Sequence, residues 1–114
     1  MNKELRIRLS PDNKRSLKEL RAGIAANEDD WEAWFNMGEQ LSLMNQHPSA
    51  IRFFERAVDL GAPAIQARQY CHSLEKAGHP DLALKAWQGL LETFPDDPIA
   101  PRHIKRLKEA GEQA

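Results

Sequence analysis

Cysteine is nearly missing from this chain of 114 residues, and Cys71 is the single copy. That excludes an intramolecular disulfide and a thiolate metal cluster. No long apolar run occurs, so no membrane span is expected. The opening Met1-Asn2-Lys3-Glu4 is charged and leads into no hydrophobic stretch, so a secretory signal is not expected either, and the default compartment is the cytoplasm. Charge of one sign is also lacking: net charge is −1, which argues neither for nor against nucleic acid. Hydrophobic residues make up 41% and charged residues 29%, the balance of an ordinary soluble domain with one core. Strict strand-like alternation is absent beyond Leu5, Ile7 and Leu9, which alternate with Glu4, Arg6 and Arg8. Residues 1–10 are expected to form an extended or disordered arm.

The charge that is present is uneven. Residues 1–26 hold seven Lys/Arg against three Asp/Glu, residues 27–63 hold two against seven, and residues 64–114 hold seven against seven. The basic start reads first as a solvated helix face.

The chain repeats itself at a spacing of 33 residues. Trp34 meets Ala67 and Ala100; Gly38 meets Cys71 and Ile104; Leu41 meets Leu74 and Leu107. Ala50 meets Ala83, Phe54 meets Trp87, and Asn45 meets Gly78 and Gly111. Small or apolar character is kept at most of these pairs, which is the mark of a repeat architecture. Within each unit the period is helical. Trp31, Trp34, Met37, Leu41 and Met44 recur at three and four, as do Ala50, Phe53, Phe54, Ala57 and Val58, and then Leu82, Ala83, Ala86, Trp87, Leu90 and Leu91. Pro11, Pro48, Pro63, Pro80 and Pro98 stand where helices would begin, because the first helical residue has no use for its N–H. Ser10 and Asp97 precede prolines as N-caps. Gly61, Gly78 and Gly111 are placed to close helix ends in a left-handed conformation. The reading is six helices at about 11–26, 31–45, 48–60, 64–77, 80–93 and 97–110, with linkers short enough to force antiparallel neighbours.

The stretch Trp34-Phe35-Asn36-Met37-Gly38 with Leu41, Ala50, Phe54 and Ala57 resembles the tetratricopeptide-repeat signature. Ala67-Tyr70-Cys71-Leu74-Ala83-Trp87-Leu90-Pro95 fits the same pattern in character, with fewer identities. The resemblance covers about 31–110. It implies an all-α, right-handed solenoid of antiparallel helix pairs. The expected layout is a capping helix at 11–26, repeats at 31–61 and 64–95, and a C-terminal capping helix at 97–110. Gly38 and Cys71, with Ala50 and Ala83, are expected where paired helices cross closely, and Phe54 and Trp87 between repeats.

Candidate chemistry in the residues is thin. Cys71 and His72 are adjacent on a helix, about 100° apart, and so form no dyad; a small packing role suits Cys71. His47, His72, His79 and His103 show no metal-ligand spacing on one helix face, so no metal and no cofactor are expected. The run Glu28, Asp29, Asp30 and Glu32 suits a helix N-terminus. No phosphate loop, dinucleotide fingerprint or nucleophile elbow is present, so no enzyme is expected. Lys14, Arg15, Lys18 and Arg21 make a basic helix face with no aromatic interleaving.

The resemblance implies instead a groove lined by the first helix of each pair. Carried over, that face offers Glu32, Phe35, Asn36, Glu39 and Leu43, then Arg68, Gln69, His72 and Lys76, then Arg102, Lys105 and Lys108. It runs from acidic and apolar to basic. The expected role is a protein-interaction module, an adaptor or assembly chaperone, that holds an acidic peptide against Arg68, Arg102 and Lys105. Relatives that clamp a terminal carboxylate use a Lys and an Asn where Phe35 and Glu39 stand, so that clamp is not expected. Phe53-Phe54-Glu55-Arg56-Ala57 also resembles the half-a-tetratricopeptide motif of RNA-processing scaffolds. A self-assembling homo-oligomer is the third reading.

Overall fold

The computed structural model describes residues 11–113. The arm expected at 1–10 lies outside the described residues. The rest folds into α1 (Pro11–Ala26), α2 (Trp31–Leu43), α3 (His47–Asp59), α4 (Ala64–Lys76), α5 (Pro80–Thr93) and α6 (Ala100–Gln113), with no strand among the described residues. Each helix packs on the next in sequence, giving an all-α solenoid of antiparallel helix pairs. Its extents are 44 × 33 × 21 Å and its radius of gyration is 15.5 Å. A compact globule of this length would have about 13 Å, so the stack is elongated, as expected when units touch only their neighbours.

The helix ends show how the sequence enforces these turns. Asp30 caps α2, its carboxylate accepting from the Glu32 N–H at 3.0 Å. Pro48 and Pro80 sit in the first turns of α3 and α5, and Pro63 is the residue before α4. Three C-termini close alike. Asn45, Gly61 and Gly78 have φ of 61°, 96° and 83°. The N–H groups of Gln46, Ala62 and His79 each donate to a carbonyl five residues back, on Leu41, Ala57 and Leu74, at 2.8–3.0 Å. This is the closure that a left-handed residue permits. Asn45 supplies it where the next unit uses Gly78, so the 33-residue register holds at the turn as well.

The core follows the repeat. Ala50, Phe54, Ala83 and Trp87 are buried, as are Met37, Cys71, Leu74, Leu90, Ala100 and Leu107. A Cβ added at Gly38 would stand 2.7 Å from the Phe54 ring, so only glycine lets α2 approach α3 this closely. Trp31, Phe35 and Phe54 form an edge-to-face and tilted series with centroids 6.2 and 5.5 Å apart, and Trp34 lies 5.9 Å from Phe53. The Trp34 indole N–H donates to the Glu28 carbonyl at 2.9 Å and so ties the α1–α2 turn to the first repeat.

Some expectations fail locally. Leu82 carries the apolar period on paper yet is 51% exposed, because it lies on the outer side of the first turn of α5. Gly111 ends nothing: α6 runs through it to Gln113. That helix starts at Ala100 rather than 97, since Pro98 disfavours helical backbone at Asp97, the residue before it. Asp97 still caps, accepting from the N–H groups of Ile99 and Ala100 at 3.1 and 2.8 Å.

Candidate functional site

The α2, α4 and α6 residues read from the sequence as a groove fall into three groups. Phe35 is half-buried against Trp31 and Phe54, so it belongs largely to the core of the first repeat. Glu32 is exposed, and Asn36 and Glu39 are exposed beside Glu19 and Leu20 of α1, in a shallow cleft between α1 and α2. Leu43 is 70% exposed at the end of α2. Gln69, Lys76, Arg102, Lys105 and Lys108 are exposed on α4 and α6. Arg68 and His72 are the third group: both are half-buried and engaged with α6 or the turn before it.

Arg68 grips Asp97. Its Nε–H donates to Oδ1 at 2.9 Å, and its terminal nitrogen pairs with the same oxygen. The Asp97 side chain is 1% exposed and its other oxygen caps α6. Burial alone would raise the Asp97 pKa, but the Arg68 guanidinium and the backbone donors of Ala100 and Ile99 outweigh it and hold the carboxyl below its ordinary value. Arg68 is thus a link between α4 and the start of α6, and a ligand would have to share it with Asp97.

Two helical turns further along α4, Glu75 is the hub of a second network. Its Oε2 accepts from the Trp87 indole N–H at 2.8 Å and lies 3.2 Å from His103 Nδ1; its Oε1 pairs with Arg106. Burial works to raise the Glu75 pKa, yet the donors Arg106 and Trp87 bring it below the ordinary carboxylate value. Trp87 stacks on His103 with ring planes 8° apart and centroids 4.2 Å apart. His72 meets both rings edge-on, 5.0 Å from Trp87 and 5.1 Å from His103. Burial lowers the His72 pKa and the neighbouring His103 lowers it further. Arg106, the solvent-side member, also comes within 2.7 Å of His103 Nδ1.

The sequence reading named Arg68 and His72 as groove positions rather than as members of these networks, did not anticipate Glu75, Trp87 or Arg106 as parts of a polar site, and treated the histidines as unrelated. His72 and His103 meet because α4 and α6 neighbour one another in the stack, not because of spacing along one helix. The available signal was His72-x-x-Glu75 and His103-x-x-Arg106, two pairs at i, i+3 that each share a helix face.

Cys71 lies behind this layer, 1% exposed, its thiol hydrogen-bonded to the Ala67 carbonyl at 3.8 Å. Burial pushes its pKa up to about 12, so the reactive thiolate is suppressed. It borders an open apolar cavity of about 480 Å³ walled by Val58, Ala62, Tyr70, Leu90 and Phe94. At that rim the Tyr70 hydroxyl donates to Glu55 at 3.2 Å, and burial followed by Glu55 raises its pKa to about 12. No helix of the described residues is long and apolar enough to cross a membrane.

No family model and no curated protein matches the sequence. Solved structures do match the fold. One is the crystal structure of MamA protein, a tetratricopeptide-repeat-containing protein, at a TM-score of 0.75 and 18% identity, covering 88% of this chain. The chain spans 55% of that structure's length. At that identity the similarity speaks to the fold alone, and the fold is that of a tetratricopeptide-like helical solenoid.

Proposed function

We propose that the chain is a protein-interaction scaffold that binds an acidic, extended peptide segment along the face formed by α2, α4 and α6. The observation that carries this reading is the graded charge of that face. Glu32 and Glu39 stand at the α2 end, and Arg102 and Lys105 at the α6 end, all exposed. Arg102 and Lys105 form no ion pair with another described residue, which leaves their donors for carboxylates; guanidinium offers these in a bidentate fork. Gln69 and Lys76 extend the same row onto α4. A tetratricopeptide-like stack supports the reading because such solenoids present long open surfaces. The other expectations, a chaperone role and a cytoplasmic location, go with this reading.

The test is fluorescence anisotropy with peptides of graded acidity. The wild-type chain is expected to bind the acidic members with a strong salt dependence. Arg102→Glu/Lys105→Glu is expected to abolish that binding while leaving the circular dichroism unchanged. Equal binding by wild type and the reversal variant, or a preference for basic peptides, sinks the proposal.

A further inference from the structure

We propose that His72, Glu75 and His103 form a binding site for one borderline divalent transition-metal ion of the zinc class. Each of the three offers a ligand atom, and these atoms lie within 4.8 Å of one another. Nitrogen and oxygen ligands stand about 2.0–2.2 Å from zinc, so ligand atoms around a single tetrahedral ion are about 3.4 Å apart. The Glu75 Oε2 to His103 Nδ1 separation of 3.2 Å is already close to that value. The His72 ring nitrogen lies within 4.8 Å of the other two ligand atoms and has to move closer to complete the set.

The donor set selects the metal. Two imidazoles and one carboxylate suit zinc, cobalt and nickel, whereas magnesium and calcium call for oxygen ligands. Three protein ligands would leave a fourth position open. The surroundings hold the ligands in place as metal sites require. The Trp87 N–H fixes one oxygen of Glu75, and the Trp87 ring stacked on His103 fixes the imidazole plane. His72 and Glu75 come from one face of α4 and His103 from α6, so the ion would clamp two helices across the repeat boundary.

Arg106 gives the proposal its sharpest consequence. Its side chain is 53% exposed and its guanidinium contacts both Glu75 and His103 Nδ1, so it places positive charge where the ion would go. Metal entry must displace it into solvent. Removing Arg106 therefore strengthens metal binding, which no reading of the cluster as a purely structural salt bridge predicts.

The site is tested on the full chain without peptide, so its outcome is separate from that of the groove. Co²⁺ is titrated and followed by its visible ligand-field absorption, and Zn²⁺ is then added as competitor. One Co²⁺ per chain with the intense spectrum of a four- or five-coordinate ion, displaced by Zn²⁺, is expected. His103→Gln and Glu75→Gln are each expected to weaken binding on the order of a hundredfold, with circular dichroism confirming that both fold. His72→Gln serves as the replacement if either does not. Arg106→Ala is expected to bind more tightly than wild type. The proposal is overturned if wild type binds no stoichiometric metal, if it binds half an equivalent between two copies, if binding survives loss of His103 or Glu75, or if Arg106→Ala weakens it.

Discussion

The two repeats share a register but solve the same packing problem differently. In α2–α3 the close crossing is made by Gly38 lying against the Phe54 ring, and the aromatic neighbours are Trp31, Trp34, Phe35 and Phe53. In α4–α5 the corresponding pair is Cys71 and Trp87. Both large rings are buried, yet Trp87 carries an N–H that a buried environment obliges to find a partner. Glu75 is that partner, and it brings His103 and Arg106 with it. The Gly38–Phe54 crossing of the first repeat is therefore an apolar contact, and the second repeat adds to its apolar contact a polar layer reaching α6. Exchanging one aromatic for another with a hydrogen-bonding handle turns a core position into the base of a surface site.

The largest effect should come from Trp87→Ala, which removes a fully buried ring together with the donor to Glu75. A loss of about 3–5 kcal/mol is expected in urea unfolding, enough to unfold a marginal domain. Trp87→Phe keeps most of the packing and drops only the N–H, so it should cost about 1–2 kcal/mol. An equal loss for both would mean that the hydrogen bond dominates.

Next in size is Arg68→Ala, which strands a buried carboxylate on its capping contacts alone. It should cost about 2–3 kcal/mol and fray α6. The same pair fixes the acid response. The Asp97 and Glu75 carboxyls are held below their ordinary values of 3.8 and 4.5. Each therefore contributes stability that is complete above that value and lost as pH falls through the lowered folded pKa. His72, held below 6.5, acts in the same direction and earlier on the way down. Melting temperature should fall as pH drops from neutrality, and Arg68→Ala should flatten the acid limb below pH 3.8.

Smaller still are the crossing positions. Gly38→Ala should cost about 1–3 kcal/mol, because the Phe54 ring must shift to admit a methyl group. Cys71→Ala should cost only about 1 kcal/mol, since it removes one buried atom from a crossing already built to hold it. A reversed order would show that the first repeat relaxes more easily than the second. Cys71 should also react with thiol reagents only on unfolding, which a time course with and without denaturant reads directly.

Much of the fold was legible in the sequence because a repeat announces itself twice. Gly38, Ala50, Phe54 and their partners 33 residues on are packing positions whose residue types are dictated locally, and all proved buried. Turn chemistry was legible too, with Gly61 and Gly78 at positive φ. Gly111 was not, because a glycine without a following turn is tolerated in an exposed helix end. The site was harder. Exposed Arg102 and Lys105 follow from helical phase alone. The meeting of Arg68 with Asp97, and of His72 and Glu75 with His103 and Arg106, depends on the offset between α4 and α6. Those pairs are 29 and 31 residues apart, not 33, because side chains reach diagonally across the stack. A repeat period shows which positions are equivalent, and leaves open which unlike positions touch.

The acidic segment proposed to lie along α2, α4 and α6 should meet its basic contacts on α4 and α6. Chemical-shift mapping of the labelled chain with a Glu-rich peptide tests it most directly. Perturbations are expected to group on Gln69, Lys76, Arg102 and Lys105, with the α1 and α3 surfaces silent. Saturable binding with perturbations on α1, α3 or α5, and none on α6, would contradict it.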